Sequence, residues 1–131
     1  MKIRITSFET VDGNVVVNFN SSVGNGVATW VGAKEPVKNY EYDVEIDIEK
    51  SIDQVKSSKN NNEGRYSMSI GDDSTIMNGE VEFVEEDGMA YIRLSQDCLI
   101  MIDSGDSKVK DGDWINLNIP CEDIKVSAQG N

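Results

Sequence analysis

The sequence predicts an all-β fold, its antiparallel strands closed into a barrel or packed as a sandwich. Three observations carry that expectation. The first is an unbroken two-residue alternation. Tyr40, Tyr42, Val44, Ile46 and Ile48 fall on one side, and Glu41, Asp43, Glu45, Asp47 and Glu49 on the other. Period two is the mark of a strand with one buried face and one wet face. The second is punctuation by Asp12-Gly13, Asn25-Gly26, Asn78-Gly79, Asp87-Gly88 and Asp111-Gly112. Such pairs accept the positive φ of tight hairpins. The third is that the segments between them are short, which favours a closed or sandwiched sheet.

The elements follow in order. Ile3 and Ile5 alternate with Lys2, Arg4 and Thr6. Val15, Val17 and Phe19 alternate with Val16 and Asn18, and Val27 to Val31 includes Trp30. The acidic strand comes next. Ser51 and Gln54 have capping-box spacing, with Ile52 and Val55 on one side, so at most one short helix is expected near 51–58. Asn60-Asn61-Asn62-Glu63-Gly64 reads as a mobile loop. Tyr66, Met68 and Ile70 then alternate with serines, and Val81 and Phe83 with glutamates. Glu85-Glu86-Asp87-Gly88 is the clearest hairpin tip, and Met89 to Leu94 is its return strand. Leu99–Ile102 is a continuous apolar run of the kind found in central strands. Ile115, Leu117 and Ile119 form a strand that Pro120 ends, because proline cannot donate to the ladder. Ile124-Lys125-Val126 is a short final strand. The stretch from Glu80 to Val126 holds about five strands and one wide loop, which fits an OB-like Greek-key barrel extended by the early hairpins.

A chain of 131 residues suits a single domain, 1–131, with a core large enough to need no staples. No apolar run approaches the roughly 18 residues of a membrane span. Met1 to Thr6 alternates charge with apolar residues instead of presenting a targeting region. A cytoplasmic location without a membrane partner is therefore expected. In that compartment Cys98 and Cys121 read as buried thiols, a disulfide between them being the alternative.

The chain has no histidine. That removes the usual base near neutral pH and the commonest nitrogen ligand of zinc. It also removes Ser-His-Asp and Cys-His arrangements. Carboxylate pairs are too abundant for any one to be singled out as catalytic. The chain is accordingly expected not to be an enzyme and to need no cofactor. Asp103-Ser104-Gly105-Asp106-Ser107 and Asp111-Gly112-Asp113 gather oxygens, yet their spacing is not that of an EF-hand, and Lys108 and Lys110 oppose a cation. They read as solvated loop, and no metal site is expected.

The charge is informative. Residues 1–65 hold ten acids and eight bases, a net −2, whereas residues 66–131 hold fourteen acids and four bases, a net −10. A field of that sign repels phosphate, so nucleic acid is not expected as a partner despite the aromatic residues. It favours a basic protein. The expected function is a non-catalytic binding module with an acidic recognition face. Its most concrete form is an intracellular inhibitor of the immunity type, capturing a basic protein such as a toxin nuclease. The candidate contacts are Glu41, Asp43, Glu45 and Asp47 on the acidic strand, or Glu85, Glu86 and Asp87 at the hairpin tip. Trp114 is out of phase with Ile115, Leu117 and Ile119, which makes it a candidate outward anchor. One alternative is a small-ligand barrel whose cavity Tyr66, Met68, Met89 and Tyr91 would line. Another is an assembly subunit whose strands extend a partner's sheet.

Overall fold

Asp12 and Gly13 both take positive φ, +50° and +81°, in the computed structural model, which describes residues 1–59 and 64–129. They make the two-residue turn that their types favour. The turn joins β1 (Lys2–Val11) to β2 (Asn14–Ser21), with Val11 opposite Asn14. Next come β3 (Gly24–Trp30) and the acidic β4 (Glu41–Ile48). In β4, Val44 and Ile46 are buried, and Glu41, Asp43, Glu45 and Asp47 are exposed, as the alternation requires. The chain then leaves for more than seventy residues and returns as β11 (Ile124–Ala128).

That last strand closes a five-stranded barrel. β11 pairs antiparallel with β4 through Ile124↔Ile48 to Ala128↔Val44. Its other edge pairs parallel with β3, Lys125 beside Thr29 and Val126 beside Trp30. β1 pairs with both β2 and β4, which completes the circuit β1-β2-β3-β11-β4. Ile3, Ile5, Val17, Ala28, Val44 and Val126 fill the interior, each at most 2% exposed.

Between β4 and β11 lies a second group of strands. A single 3-10 turn (Ile52–Gln54) leads to β5 (Lys56–Lys59). β6 (Ser67–Ile70), β7 (Ser74–Val84), β8 (Met89–Ser95), β9 (Cys98–Asp103) and β10 (Trp114–Pro120) follow, and a 3-10 turn at Cys121–Asp123 leads into β11. β7 is the spine of this group. β10 runs along one of its edges, while β6 and then β8 share the other. β5 continues the sheet beyond β10, and β9 continues it beyond β8. Gly24 beside Met68 joins β3 to β6, and through that bridge the barrel and the inserted strands form one sheet. One apolar core runs through both, from Ile3 and Val17 to Ile92 and Leu117.

The all-β architecture holds, but several local expectations change. The five-stranded barrel is not built from Glu80 to Val126. It is built from the first four strands and the last, because β11 finds partners on both edges in the N-terminal strands. The helix expected near 51–58 shrinks to one 3-10 turn, in which Gln54 Oε1 accepts a bond from the Ser51 amide at 3.0 Å. Lys56-Ser57-Ser58-Lys59 has no apolar face for a helix to bury, and it pairs as a strand with β10. Leu99–Ile102 is not central. It belongs to β9, which pairs with β8 alone among the described strands. Asn25-Gly26 and Asn78-Gly79 are not turns. Both lie inside strands, where the bare glycine lets a neighbour approach closely. A Cβ on Gly26 would lie 2.4 Å from the Phe19 ring, and one on Gly79 2.4 Å from the Arg93 carbonyl oxygen. The asparagine run at 60–62 lies outside the described residues. Among the described residues no helix is long and apolar enough to cross a membrane.

Candidate functional site

The β4 carboxylates project from a strand that is held in register on both sides. That register brings Arg4 opposite Glu41, Lys2 opposite Asp43 and Lys125 opposite Asp47. Glu41 is therefore neutralised, with Arg4 at 3.4 Å and Lys2 at 3.8 Å. Lys125 passes over Asp47 to Glu49 at 3.8 Å and also donates to the Glu122 carbonyl at 2.7 Å. Asp43, Glu45 and Asp47 have no ion pair within 4.0 Å among the described residues. The acidic ribbon thus narrows from five charges to three. Surface pairs of this kind contribute at most about 1 kcal/mol each, so the flanking bases chiefly shape the local field.

Two surface depressions flank β4, each of about 760 Å³. One lies between β4 and β9. One wall is the unbroken run Val44 to Lys50, which is β4 from Val44 on and the two residues after it, and the β9 wall includes Cys98, Leu99, Ile100 and Met101. Successive residues of a strand point to opposite faces. Walls made of consecutive residues are therefore strand edges. The two ends of this groove are tied. Asp97 accepts the Lys2 amide at 3.2 Å at one end, and Asp53 accepts the Asp106 amide at 3.1 Å at the other. The second depression is lined by Trp30, Tyr40, Tyr42, Glu41 and Asp43. There the rings pack on each other, Trp30 to Tyr42 at 5.0 Å and Tyr40 to Tyr42 at 4.8 Å between centroids.

Beside the groove, the outer face of β7, β8 and β9 carries a cross-strand row of Phe83, Tyr91 and Met101. Phe83 stacks on Tyr91 with centroids 4.3 Å apart, and Met101 is 55% exposed. The next row pairs Arg93 with Leu99, which is 40% exposed. Arg93 is already engaged by Glu82 in a two-pronged pair at 3.0 and 3.1 Å, which holds the Glu82 carboxyl below its usual range. The sequence signal for this surface was present but hidden. Cys98, Ile100 and Ile102 are buried and alternate with Leu99, Met101 and Asp103, so the outward face was masked by being apolar too.

The other sequence candidates separate. At the hairpin tip Glu85 accepts from the Tyr91 hydroxyl, and Asp87 accepts the Met89 amide at 3.0 Å. Glu86 is exposed and has no such bond among the described residues. Trp114 is not an outward anchor. It is 9% exposed, with Tyr66 packed on it at 5.3 Å, because Tyr66 covers that face of β10. Tyr66, Met68, Met89 and Tyr91 do not share a cavity. Met68 is in the core, Met89 lines the groove, and the two tyrosines lie on Trp114 and Phe83.

The loop carboxylates are occupied by backbone. Asp103 accepts the Gly105 amide, Asp111 the Val84 amide and Asp113 the Lys110 amide, at 2.9, 3.0 and 2.9 Å. Among the described residues no three Cys, Asp or Glu side chains gather as a metal ion would require. Cys98 and Cys121 are both free thiols, and burial pushes each one's pKa up, away from the reactive thiolate. Comparison with known proteins finds no matching family model, curated protein or solved structure.

Asp97 gives a titratable handle on the closed end of the groove. The Ser95 hydroxyl at 2.6 Å, helped by the Lys2 amide, holds its carboxyl below the usual aspartate range. A depressed carboxylate stabilises the fold above its unfolded pKa, and that stabilisation is lost as pH falls through the lower folded value. The expected result is that Asp97→Asn lowers the thermal midpoint at neutral pH and that the deficit disappears at an acidic pH below the lowered folded pKa, where the wild-type carboxyl is protonated too. An equal deficit at both pH values would show that the charge of Asp97 plays no part.

Proposed function

We propose that this chain is a non-catalytic acidic binding module, an intracellular inhibitor of the immunity type that captures a basic protein such as a toxin nuclease. The observation that carries this reading is the trio Asp43, Glu45 and Asp47. These side chains are exposed on a strand fixed by neighbours, and they lack ion-pair partners among the described residues. Like charges spaced along one strand face repel one another. A cation that approaches them gains from that uncompensated field and meets carboxylates whose backbone is already ordered. The strong negative balance of residues 66–131 extends the same field over the inserted strands.

The test is affinity capture from the native host followed by association kinetics with the protein recovered. A basic protein is the expected catch. Changing Asp43→Asn, Glu45→Gln and Asp47→Asn together is expected to slow association about tenfold at low salt and to flatten its salt dependence. Folding should be preserved, since repulsion is relieved. A neutral or acidic catch, or an unchanged association rate, would sink the reading.

A further inference from the structure

Tyr40 belongs to the apolar phase of the β4 alternation, yet it is 57% exposed. The reason lies in how the barrel ends. β11 stops at Ala128 opposite Val44, and the Gln129 amide reaches one residue further, to the Asp43 carbonyl at 2.8 Å. Before Asp43, the edge of β4 away from β1 has no strand partner among the described residues. The second depression occupies that gap. The chain from Trp30 to Glu35 lines one side of it, and Tyr40 to Asp43 line the other. β3 and β4 both flank β11, so the gap is about two strand spacings wide, roughly 9–10 Å. Trp30, 8% exposed, and half-buried Tyr42 pack edge to face as its floor, and Tyr40 stands at its rim. The walls are ordered by their own hydrogen bonds. Trp30 Nε1 donates to the Lys34 carbonyl at 2.9 Å, and the Val37 amide donates to the Tyr42 hydroxyl at 3.0 Å. The Ile5 amide donates to the Tyr40 carbonyl at 3.1 Å, and the Asn39 amide donates to the Ile5 carbonyl at 2.7 Å.

We infer that an arginine side chain of the captured protein seats in this depression, its guanidinium on the Tyr40 ring and within the field of Asp43. The inference rests on the acidic-capture function proposed above and supplies its anchor. Charge selects the occupant. Lys2 and Arg4 neutralise Glu41, and Lys34 and Glu35 offset each other in sign, which leaves Asp43 as the uncompensated charge on the lining. Asp43 stands on the outer face of β4 at the lip of the depression, so it acts through its field and needs no direct contact. The face of an aromatic ring is negative, and a cation above it is attracted. A guanidinium is planar, always charged and weakly hydrated, so it stacks at less desolvation cost than a lysine ammonium. A neutral side chain of the same shape gains the stacking without the field. Asp43 also belongs to the exposed trio, so the anchor is continuous with the acidic face. Because the walls are already ordered, little entropy is lost there on binding.

The probe is the blocked tripeptide acetyl-Gly-Arg-Gly-amide, titrated at low salt and followed by NMR at the Trp30 indole N–H and the Tyr40 ring. Its controls carry lysine, or citrulline, which keeps the shape of arginine without the charge. The arginine probe is expected to move both signals and to bind at least about threefold more tightly than either control. Tyr40→Ala should weaken it about threefold to fivefold with a melting temperature little changed, since that ring is mostly in water. Tyr40→Phe, which keeps the ring face, should leave it bound. Asp43→Asn should weaken the arginine and lysine probes and spare the citrulline one. A nona-arginine peptide tests capture apart from the seat, through Glu45→Gln with Asp47→Asn, two carboxylates that do not line the depression. If those changes weaken nona-arginine binding while Tyr40→Ala leaves the tripeptide unaffected, the arginine seat is overturned and acidic capture stands. Nona-arginine binding indifferent to Glu45 and Asp47 would count against acidic capture itself. Equal binding of the arginine and citrulline probes, or no shift at the Trp30 indole, would overturn the seat.

Discussion

Gly24→Ala is expected to destabilise the protein by about 3 kcal/mol or more, since it combines backbone strain with a clash that cannot relax. Gly24 has a φ of +133°, where side chains are rarely tolerated. A Cβ there would lie 1.9 Å from the Met68 carbonyl oxygen and 2.9 Å from its carbonyl carbon. Both are backbone atoms, so no rotamer change relieves the contact. Gly24 opposite Met68 is also the bridge between β3 and β6, reinforced by the Met68 amide donating to the Val23 carbonyl at 2.9 Å. The new methyl must therefore strain β3 or part the barrel from the inserted sheet. Urea unfolding measures the cost. A lower midpoint with a shallower slope would report that the two parts no longer melt together. Gly13→Ala is the control. It also sits at positive φ but has nothing within 4 Å of the added carbon, so about 1 kcal/mol is expected. Equal costs at the two sites would show that the β3–β6 bridge carries no load.

What the sequence revealed, and what it hid, follows from the range of the interactions involved. The β4 alternation was legible because period two is local, and burial matches it residue for residue from Glu41 to Asp47. The Asp-Gly pairs at 12–13, 87–88 and 111–112 all lie in turns, where their glycines have positive φ. The two Asn-Gly pairs misled, because a glycine admits a turn but equally admits a neighbour. Phe19 over Gly26 and Arg93 beside Gly79 are contacts between strands, invisible to a reading of dipeptides. Barrel closure was hidden for the same reason. Nothing local to Ile124–Ala128 says that its partners lie at 44–48 and 29–30. The acidic site was half legible. The carboxylates and their common face could be read, but the pairing of Lys2 and Arg4 with Glu41 depends on β1–β4 register. The β9 wall escaped notice because a strand apolar on both faces looks central whether or not a neighbour covers it.

That ambiguity in β9 leads to the second large effect. Ile92→Ala is expected to cost about 3–4 kcal/mol, within the range for emptying a buried isoleucine site. Ile92 is fully buried on the middle strand of β7, β8 and β9, directly between Val81 and Ile100, both of which also point inward. Removing its methyl groups leaves a void that Val81 and Ile100 cannot fill without breaking register. Leu99→Ser, one position from Ile100 along β9, is expected to change stability by less than about 0.5 kcal/mol, because its side chain faces water on the other side. Denaturant midpoints of the two variants separate the faces of one thin sheet. The inward face supplies the cohesion. On the outward face Phe83 and Tyr91 stack on each other, and exposed Leu99 and Met101 add little to that cohesion. If Leu99→Ser proved as costly as Ile92→Ala, the outer face of β9 would be holding the fold together as much as the inner one.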